Sequence, residues 1–396
     1  MTQERFRVEF KPPRRILMGP GPSNVPTRVL QAMSLPVIGH LDPDFLGLMN
    51  RIQNQLRELF RTSNRLTIPV SGTGSAGMEA SVLNFVEEGD PVLVCVNGVF
   101  GIRLAEVARR AGARCTTVSF PFGRPLDPDA VREAALRDGP RLIAMVHAET
   151  STGVLQSIRP IREICDEVGA LLLVDTVTSL GGHPVLVDDE RIDICYSGTQ
   201  KCLSCPPGLS PLTVSRKAEE KLSSRTQPCR SWYLDLNLVR NYWGEQRTYH
   251  HTAPISMNYA LFEALRIIEE EGLEARWNRH RLNHEALVAG LEAMGLKLAV
   301  SPECRLWSLN ALTIPEGVDD LAVRQQLLSQ FNLEIGGGLG ELKGKIWRVG
   351  LMGETSRAEN VLYFLHALEA CLHQQGFATP AGGAGLVAAA ERVSRG

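Results

Sequence analysis

Between residues 66 and 216 the chain alternates two hydrophobic patterns. One is short and almost unbroken, at 67–70, 92–96, 115–118, 142–146, 171–174, 192–196 and 212–214. Such runs suit strands covered on both faces. The other repeats apolar residues at i, i+3 and i+4, at 77–88, 102–112, 127–138 and 158–168. That spacing predicts amphipathic helices, several of which stop at a glycine. Strands alternating with helices predict an α/β domain built on a mainly parallel, seven-stranded sheet.

The pattern changes after 216. Trp232, Tyr233, Tyr242, Trp243 and Tyr249 crowd a segment that leads into a helix over 256–271. A second helix, 273–294, follows Gly272 and opens a smaller α+β domain, with strands at 309–314 and 346–351 and helices at 321–331 and 357–373. At the start, Phe6, Val8 and Phe10 alternate with polar residues as in an extended arm. The expected division is an arm at 1–16, a large domain at 17–272, a C-terminal domain at 273–378 and a flexible, Ala/Gly-rich tail at 379–396.

Charge narrows the partners. With 42 basic and 44 acidic residues the formal net charge is −2, which argues against a general nucleic-acid binder or a membrane-surface protein. No apolar run approaches the length of a membrane span. The N-terminal segment lacks an apolar signal region, and Glu4 and Glu9 count against a transit peptide. The nine cysteines are scattered, several within apolar runs, and read as reduced thiols in a cytoplasmic protein. Glycine is frequent, 36 residues, which points to tight turns and close backbone approaches.

Three strand ends carry candidate chemistry. Ser71-Gly72-Thr73-Gly74-Ser75-Ala76-Gly77 follows a predicted strand and opens a predicted helix, where backbone amides and the helix dipole suit a phosphate. The segment also fits the spacing of a dinucleotide-binding loop at Gly72, Gly74 and Gly77. The next strand, however, ends in Asn97-Gly98 instead of the acidic residue that a ribose requires. Asp175 ends the run at 171–174, where a carboxylate can hold a cationic nitrogen. Lys201 lies in Ser197-Gly198-Thr199-Gln200-Lys201, just past the run at 192–196, and a partly desolvated amine there can attack an aldehyde. Taken singly, each has a plainer reading as a βα turn, a capping Asp or a loop Lys. Together they match what pyridoxal phosphate requires: a phosphate cradle, a partner for the ring nitrogen and an amine for the aldehyde.

These motifs resemble the class V aminotransferases of fold type I, and within them the alanine–glyoxylate (serine–pyruvate) aminotransferase group. The resemblance runs from about Leu17 to Leu372 through GPGPSNVP at 19–26, SGTGSAGMEA at 71–80, ETSTG at 149–153, LLLVDTVTSLGG at 171–182, YSGTQK at 196–201, YHHT at 249–252, GGLG at 337–340 and WRVGLMG at 347–353. It implies that Thr73, Gly74 and Ser75 hold the cofactor phosphate, with Gln200 on the same side. Phe100 stacks on the ring, where many relatives carry Trp. Thr150 contacts the ring oxygen, Asp175 pairs the ring nitrogen, Val177 packs on the ring and Lys201 forms the Schiff base. Tyr249 and Thr252 reach the phosphate of a neighbouring subunit, which implies a homodimer with shared sites. Arg348 binds the substrate carboxylate, a role its placement in an apolar strand also favours. The implied reaction is transamination of alanine or serine with a small 2-oxo acid, glyoxylate foremost.

Two alternatives stand beside this reading. A cysteine desulfurase or lyase of the same fold wants a mobile catalytic Cys and a His before the Lys, where this chain has Gln200; Cys304 is the nearest candidate nucleophile. A dehydrogenase would use Gly72, Gly74 and Gly77. Cys202 and Cys205 have redox spacing but no second pair for a zinc site. His280 and His284, one helical turn apart among Arg276, Arg279 and Arg281, read as part of a solvated face. His250 and His251 read as positioning Tyr249 and Thr252.

Overall fold

All seven apolar runs become strands of one sheet in the computed structural model, which describes residues 11–395. Phe6, Val8 and Phe10 of the expected arm lie outside the described residues. The strands are β1 (Leu66–Ser71), β2 (Pro91–Val96), β3 (Arg114–Ser119), β4 (Leu142–Val146), β5 (Leu171–Asp175), β6 (Ile194–Tyr196) and β7 (Leu209–Val214). Their order is β1-β7-β6-β5-β4-β2-β3. Only β7 runs antiparallel, to both β1 and β6. The unbroken runs have the expected cause. Along β2, Val92, Val94 and Val96 enter one apolar core while Leu93 and Cys95 enter the other. Each fully buried side chain of this size contributes about 1.5–3 kcal/mol.

Five helices flank this sheet: α1 (Pro43–Phe60), α2 (Gly74–Leu83), α3 (Val99–Arg110), α4 (Pro128–Asp138) and α5 (Arg159–Val168). Two long helices, α6 (Ile255–Glu271) and α7 (Leu273–Ala293), lead onward. The C-terminal sheet is antiparallel, with β8 (Leu309–Thr313), β9 (Gly336–Gly337) and β10 (Ile346–Gly350) in the order β8-β10-β9. α8 (Asp320–Phe331) and α9 (Ala358–Gln374) pack with α7 around Trp347 and Phe364. No helix among the described residues is long and apolar enough to cross a membrane.

Three expectations need correction. The boundary at 17 is not where the cores divide. Ile16–Leu17 pairs in parallel with Leu333–Glu334, and Met18 is buried in the C-terminal core beside Trp347. A short apolar triplet signals a strand without saying which sheet it joins. The tail expected to be flexible forms α10 (Ala384–Ser394) against α7. Its small residues permit a close approach: a Cβ on Gly385 would lie 2.9 Å from the Gly290 carbonyl oxygen. Finally, His280, His284 and Arg276 are buried, not solvated: Glu271 supplies Arg276 with an internal counter-charge at 2.5 Å, His280 bonds the Arg276 carbonyl and the Gly353 amide, and His284 bonds Asn310 Oδ1.

Candidate active site

The site lies at the C-terminal ends of the parallel strands, where such sheets open a ligand crevice. β1 ends at Ser71, and α2 begins at Gly74, one turn before the expected Gly77. Thr73 occupies the N-cap without a side-chain cap bond, and the first turn contains no acidic residue. The positive end of α2 is therefore not neutralised by its own side chains. Gly74 approaches the next two loops closely: a Cβ there would come 3.4 Å from Val177 Cγ2 and 3.5 Å from Gly198 Cα.

Asp175 and Tyr196 are register partners on β5 and β6. The Tyr196 hydroxyl donates to Asp175 Oδ2 at 2.5 Å, and the Val177 amide donates to Oδ1 at 2.8 Å. Burial raises the Asp175 carboxyl to about 6, although both hydrogen bonds pull the other way. A cationic group beside it would favour the ionised form.

Lys201 is 8 % exposed. Burial, with Arg348 adding to it, lowers its amine to about 8. Its Nζ donates to the Pro20 carbonyl in the turn Gly19-Pro20-Gly21-Pro22. Gly21, at φ 102°, lies so close that a Cβ would be 2.8 Å from Nζ. Ser23 fastens this turn to the lysine loop: its amide donates to the Gln200 carbonyl at 2.9 Å and its hydroxyl to the Lys201 carbonyl at 2.7 Å.

Arg348 projects from β10. Its Nε donates to the Gly337 carbonyl at 2.7 Å and Nη1 to the Thr150 carbonyl at 3.3 Å. Burial lowers it to about 10, with Glu149 acting in the opposite sense. No ion pair engages Arg348 among the described residues; Glu354 pairs with Arg357 instead. Since a guanidinium carries five N–H donors, the two bonds leave a fork free for a carboxylate.

One cavity gathers Gly74, Ser75, Phe100, Thr150, Asp175, Val177, Gln200 and Lys201. Thr73 is at the exposed cap and outside its lining. Tyr249 and Thr252 are also elsewhere. Tyr249 is 55 % exposed and leans on His40. Thr252 is exposed and borders a separate groove with Ser71, Gly72 and Ser75. The intervening His251 is hydrogen-bonded to Ser71 Oγ at 2.7 Å and His250 stacks on Trp232, so the pair does orient this segment. Cys202 and Cys205 are buried free thiols, and Cys304 is buried as well.

Three site residues escaped the sequence reading. Tyr196 could have been found from its strand-end position beside the strand of Asp175. Glu149 accepts from the Phe100, Gly101 and Ser151 amides and the Ser151 hydroxyl; its signal was only a carboxylate closing an apolar run. Arg103 lines the cavity and places its guanidinium 4.8 Å from the Phe100 ring centre.

The residues fit pyridoxal phosphate. The uncapped N-terminus of α2 offers amides to a phosphate. Asp175 matches a protonated ring nitrogen, and Lys201 matches the aldehyde. Among the described residues, no group of His, Cys, Asp and Glu is placed to hold a metal ion.

The family model "Aminotransferase class-V" matches residues 16–340. The chain is 42% identical to (S)-ureidoglycine–glyoxylate transaminase of Bacillus subtilis (strain 168), covering 92% of each. It is 41% identical to alanine–glyoxylate aminotransferase of Rattus norvegicus, covering 91% of this chain and 88% of the relative. Among solved structures, alanine–glyoxylate aminotransferase from Nostoc sp. superimposes with a TM-score of 0.92 at 52% identity, over 93% of this chain and 98% of that one. Ureidoglycine–glyoxylate aminotransferase from Bacillus subtilis gives 0.95 at 43% identity, over 98% and 100%.

Proposed function

Because the chain belongs to the class-V aminotransferase family, and is thus a pyridoxal-phosphate-dependent transferase, we propose that it moves an amino group from alanine or serine to glyoxylate. Family membership removes the dehydrogenase alternative. The observation that carries the proposal is that Asp175 and Lys201 line one cavity while Arg348, buried and outside that lining, donates to the carbonyl of Thr150, which does line it. Glyoxylate is the acceptor named for both groups of relatives, whereas their donors differ.

Pyridoxal phosphate, when bound, supplies an aldehyde that takes up the amino group and a ring that accepts the electrons of the broken Cα–H bond. This chain supplies the rest. Arg348 holds the substrate carboxylate through its free fork and so fixes Cα in place. Lys201, with its amine lowered to about 8, takes the Cα proton as general base and returns one as acid. Asp175 keeps a proton on the ring nitrogen, and the Tyr196 hydroxyl steadies that carboxylate. The turn at 19–22 roofs Lys201, excludes water and limits the substrate to a small side chain.

We place the enzyme in the cytoplasm as a homodimer with shared sites. The exposed Trp232, Tyr233 and Tyr249, next to the groove that Thr252 shares with Ser75, support such a face.

A donor–acceptor matrix tests the reaction: alanine, serine and ureidoglycine, each against glyoxylate and pyruvate, after the visible absorbance of the purified protein has been recorded. Alanine or serine with glyoxylate is expected to give the highest kcat/KM, with glycine as product. Turnover confined to ureidoglycine would move the donor assignment. A protein unable to take up pyridoxal phosphate would sink the whole reading.

A further inference from the structure

Three loops carry the chemistry: the one after Asp175, the one containing Lys201 and the one after Arg348. One turn of α7 touches all three. Arg276 Nε donates to the Gly181 carbonyl at 3.1 Å, and its Nη2 donates to the Cys202 carbonyl at 2.6 Å. Gly181 ends the turn that follows Asp175, and Cys202 is the residue after Lys201. Arg279 donates to the Gly353 carbonyl at 3.0 Å and to the Ser356 carbonyl. His280 Nε2 accepts the Gly353 amide at 2.9 Å, while its Nδ1 bonds the Arg276 carbonyl at 2.8 Å.

Glu271, the last residue of α6, holds both arginines. Its Oε2 is 2.5 Å from Arg276 Nη1, and its Oε1 is 2.5 Å from Arg279 Nε. Arg276 is 3 % exposed, so its charge would be costly without this carboxylate. The pairing also orients the planar guanidinium so that its other two edges meet the two carbonyls. None of these groups lines the cavity.

We propose that Glu271 and Arg276 are positioning residues: through the Cys202 and Gly181 carbonyls they set Lys201 at the distance from Asp175 that lets its amine meet the cofactor aldehyde. Ser23 holds the Gln200 and Lys201 carbonyls, so with Arg276 on the Cys202 carbonyl three consecutive carbonyls of the lysine loop are anchored by distant residues. The inference rests on the cofactor assignment above.

The test compares pyridoxal phosphate with pyridoxamine phosphate, which carries an amine in place of the aldehyde and makes no bond to Lys201. Glu271→Gln and Arg276→Lys should each raise the Kd for pyridoxal phosphate ~tenfold, by misplacing the lysine, and change that for pyridoxamine phosphate less than ~twofold. In a Lys201→Ala background the Glu271→Gln effect on pyridoxal phosphate should vanish. Equal weakening of both forms, persistence of the effect without Lys201, or loss of the folded state in both variants would each overturn the proposal. A wild-type protein that binds neither form would instead refute the proposed function.

Discussion

Arg162 and Lys201 are both buried, 3 % and 8 % exposed, yet their surroundings differ. Arg162 on α5 meets Asp193 at 2.7 Å and Asp166 at 2.8 Å. Asp193 also accepts the Leu172 amide and the Ser215 hydroxyl, so the pair ties α5 to the sheet. Among the described residues, Lys201 and its neighbour Arg348 have only carbonyl oxygens as hydrogen-bond partners. A buried cation with a carboxylate beside it is a fastening, whereas a buried cation without one keeps its donors and its proton for a ligand. The two regions thus divide into frame and chemistry.

The largest effect should come from exchanging the two losses. Lys201→Ala removes the group that handles the Cα proton, and the transamination rate should fall by ~10⁴-fold or more with the fold retained. Arg162→Ala leaves Asp193 buried and unpaired and should lower unfolding stability by about 3–5 kcal/mol, while kcat of the folded fraction stays near wild type. Steady-state kinetics and urea unfolding on both variants read the contrast. If Arg162→Ala lost kcat at unchanged stability, the division would break.

A smaller effect sharpens the same contrast through pH. Lys201 has an ordinary value of 10.5 and a folded value of about 8. Between these the unfolded chain binds more protons than the folded one, so stability rises with pH across that window. Below about 8 both states are protonated, and the burial penalty applies in full. In protein freed of pyridoxal phosphate, wild type should gain up to ~3 kcal/mol more than Lys201→Met between pH 7 and 10.5. The readout is the change across the window, not the offset, which also contains the lost bond to Pro20. Parallel stability curves would mean that the amine is not desolvated.

Local pattern in the sequence encodes the sheet and its strand-end chemistry. The sheet was legible because strands covered on both faces leave unbroken apolar runs. Asp175 and Lys201 were legible because strand ends in a parallel sheet are where ligands bind. The misses share a physical cause, partners distant in sequence. Ile16–Met18 joins the C-terminal core through the pairing of Ile16 with Leu333, which is hundreds of residues away in the chain. The i, i+4 spacing of His280 and His284 fixed a common face but not its burial, which the distant partners Gly353 and Asn310 accompany. Tyr196 is an ordinary strand residue until its register with Asp175 is known. Tyr249 and Thr252 stand outside the cavity that one chain forms, so their implied role belongs to the proposed dimer.

The smallest effect concerns the second unpaired cation. Arg348→Leu removes the carboxylate fork but leaves the phosphate cradle and Lys201 in place. KM for donor and acceptor should rise roughly 10–100-fold, the range expected for charge-assisted hydrogen bonds, with the Kd for pyridoxal phosphate unchanged. A second consequence separates this variant from simple loss of contact. Arg348 helps depress the Lys201 amine, so its removal should move that amine upward. Linkage then requires the stability profile of Arg348→Leu freed of pyridoxal phosphate to gain less between about pH 7 and 10.5 than the wild-type profile does. A risen KM with an unmoved profile would mean that the two cations act independently, and Lys201 would owe its lowered value to burial alone.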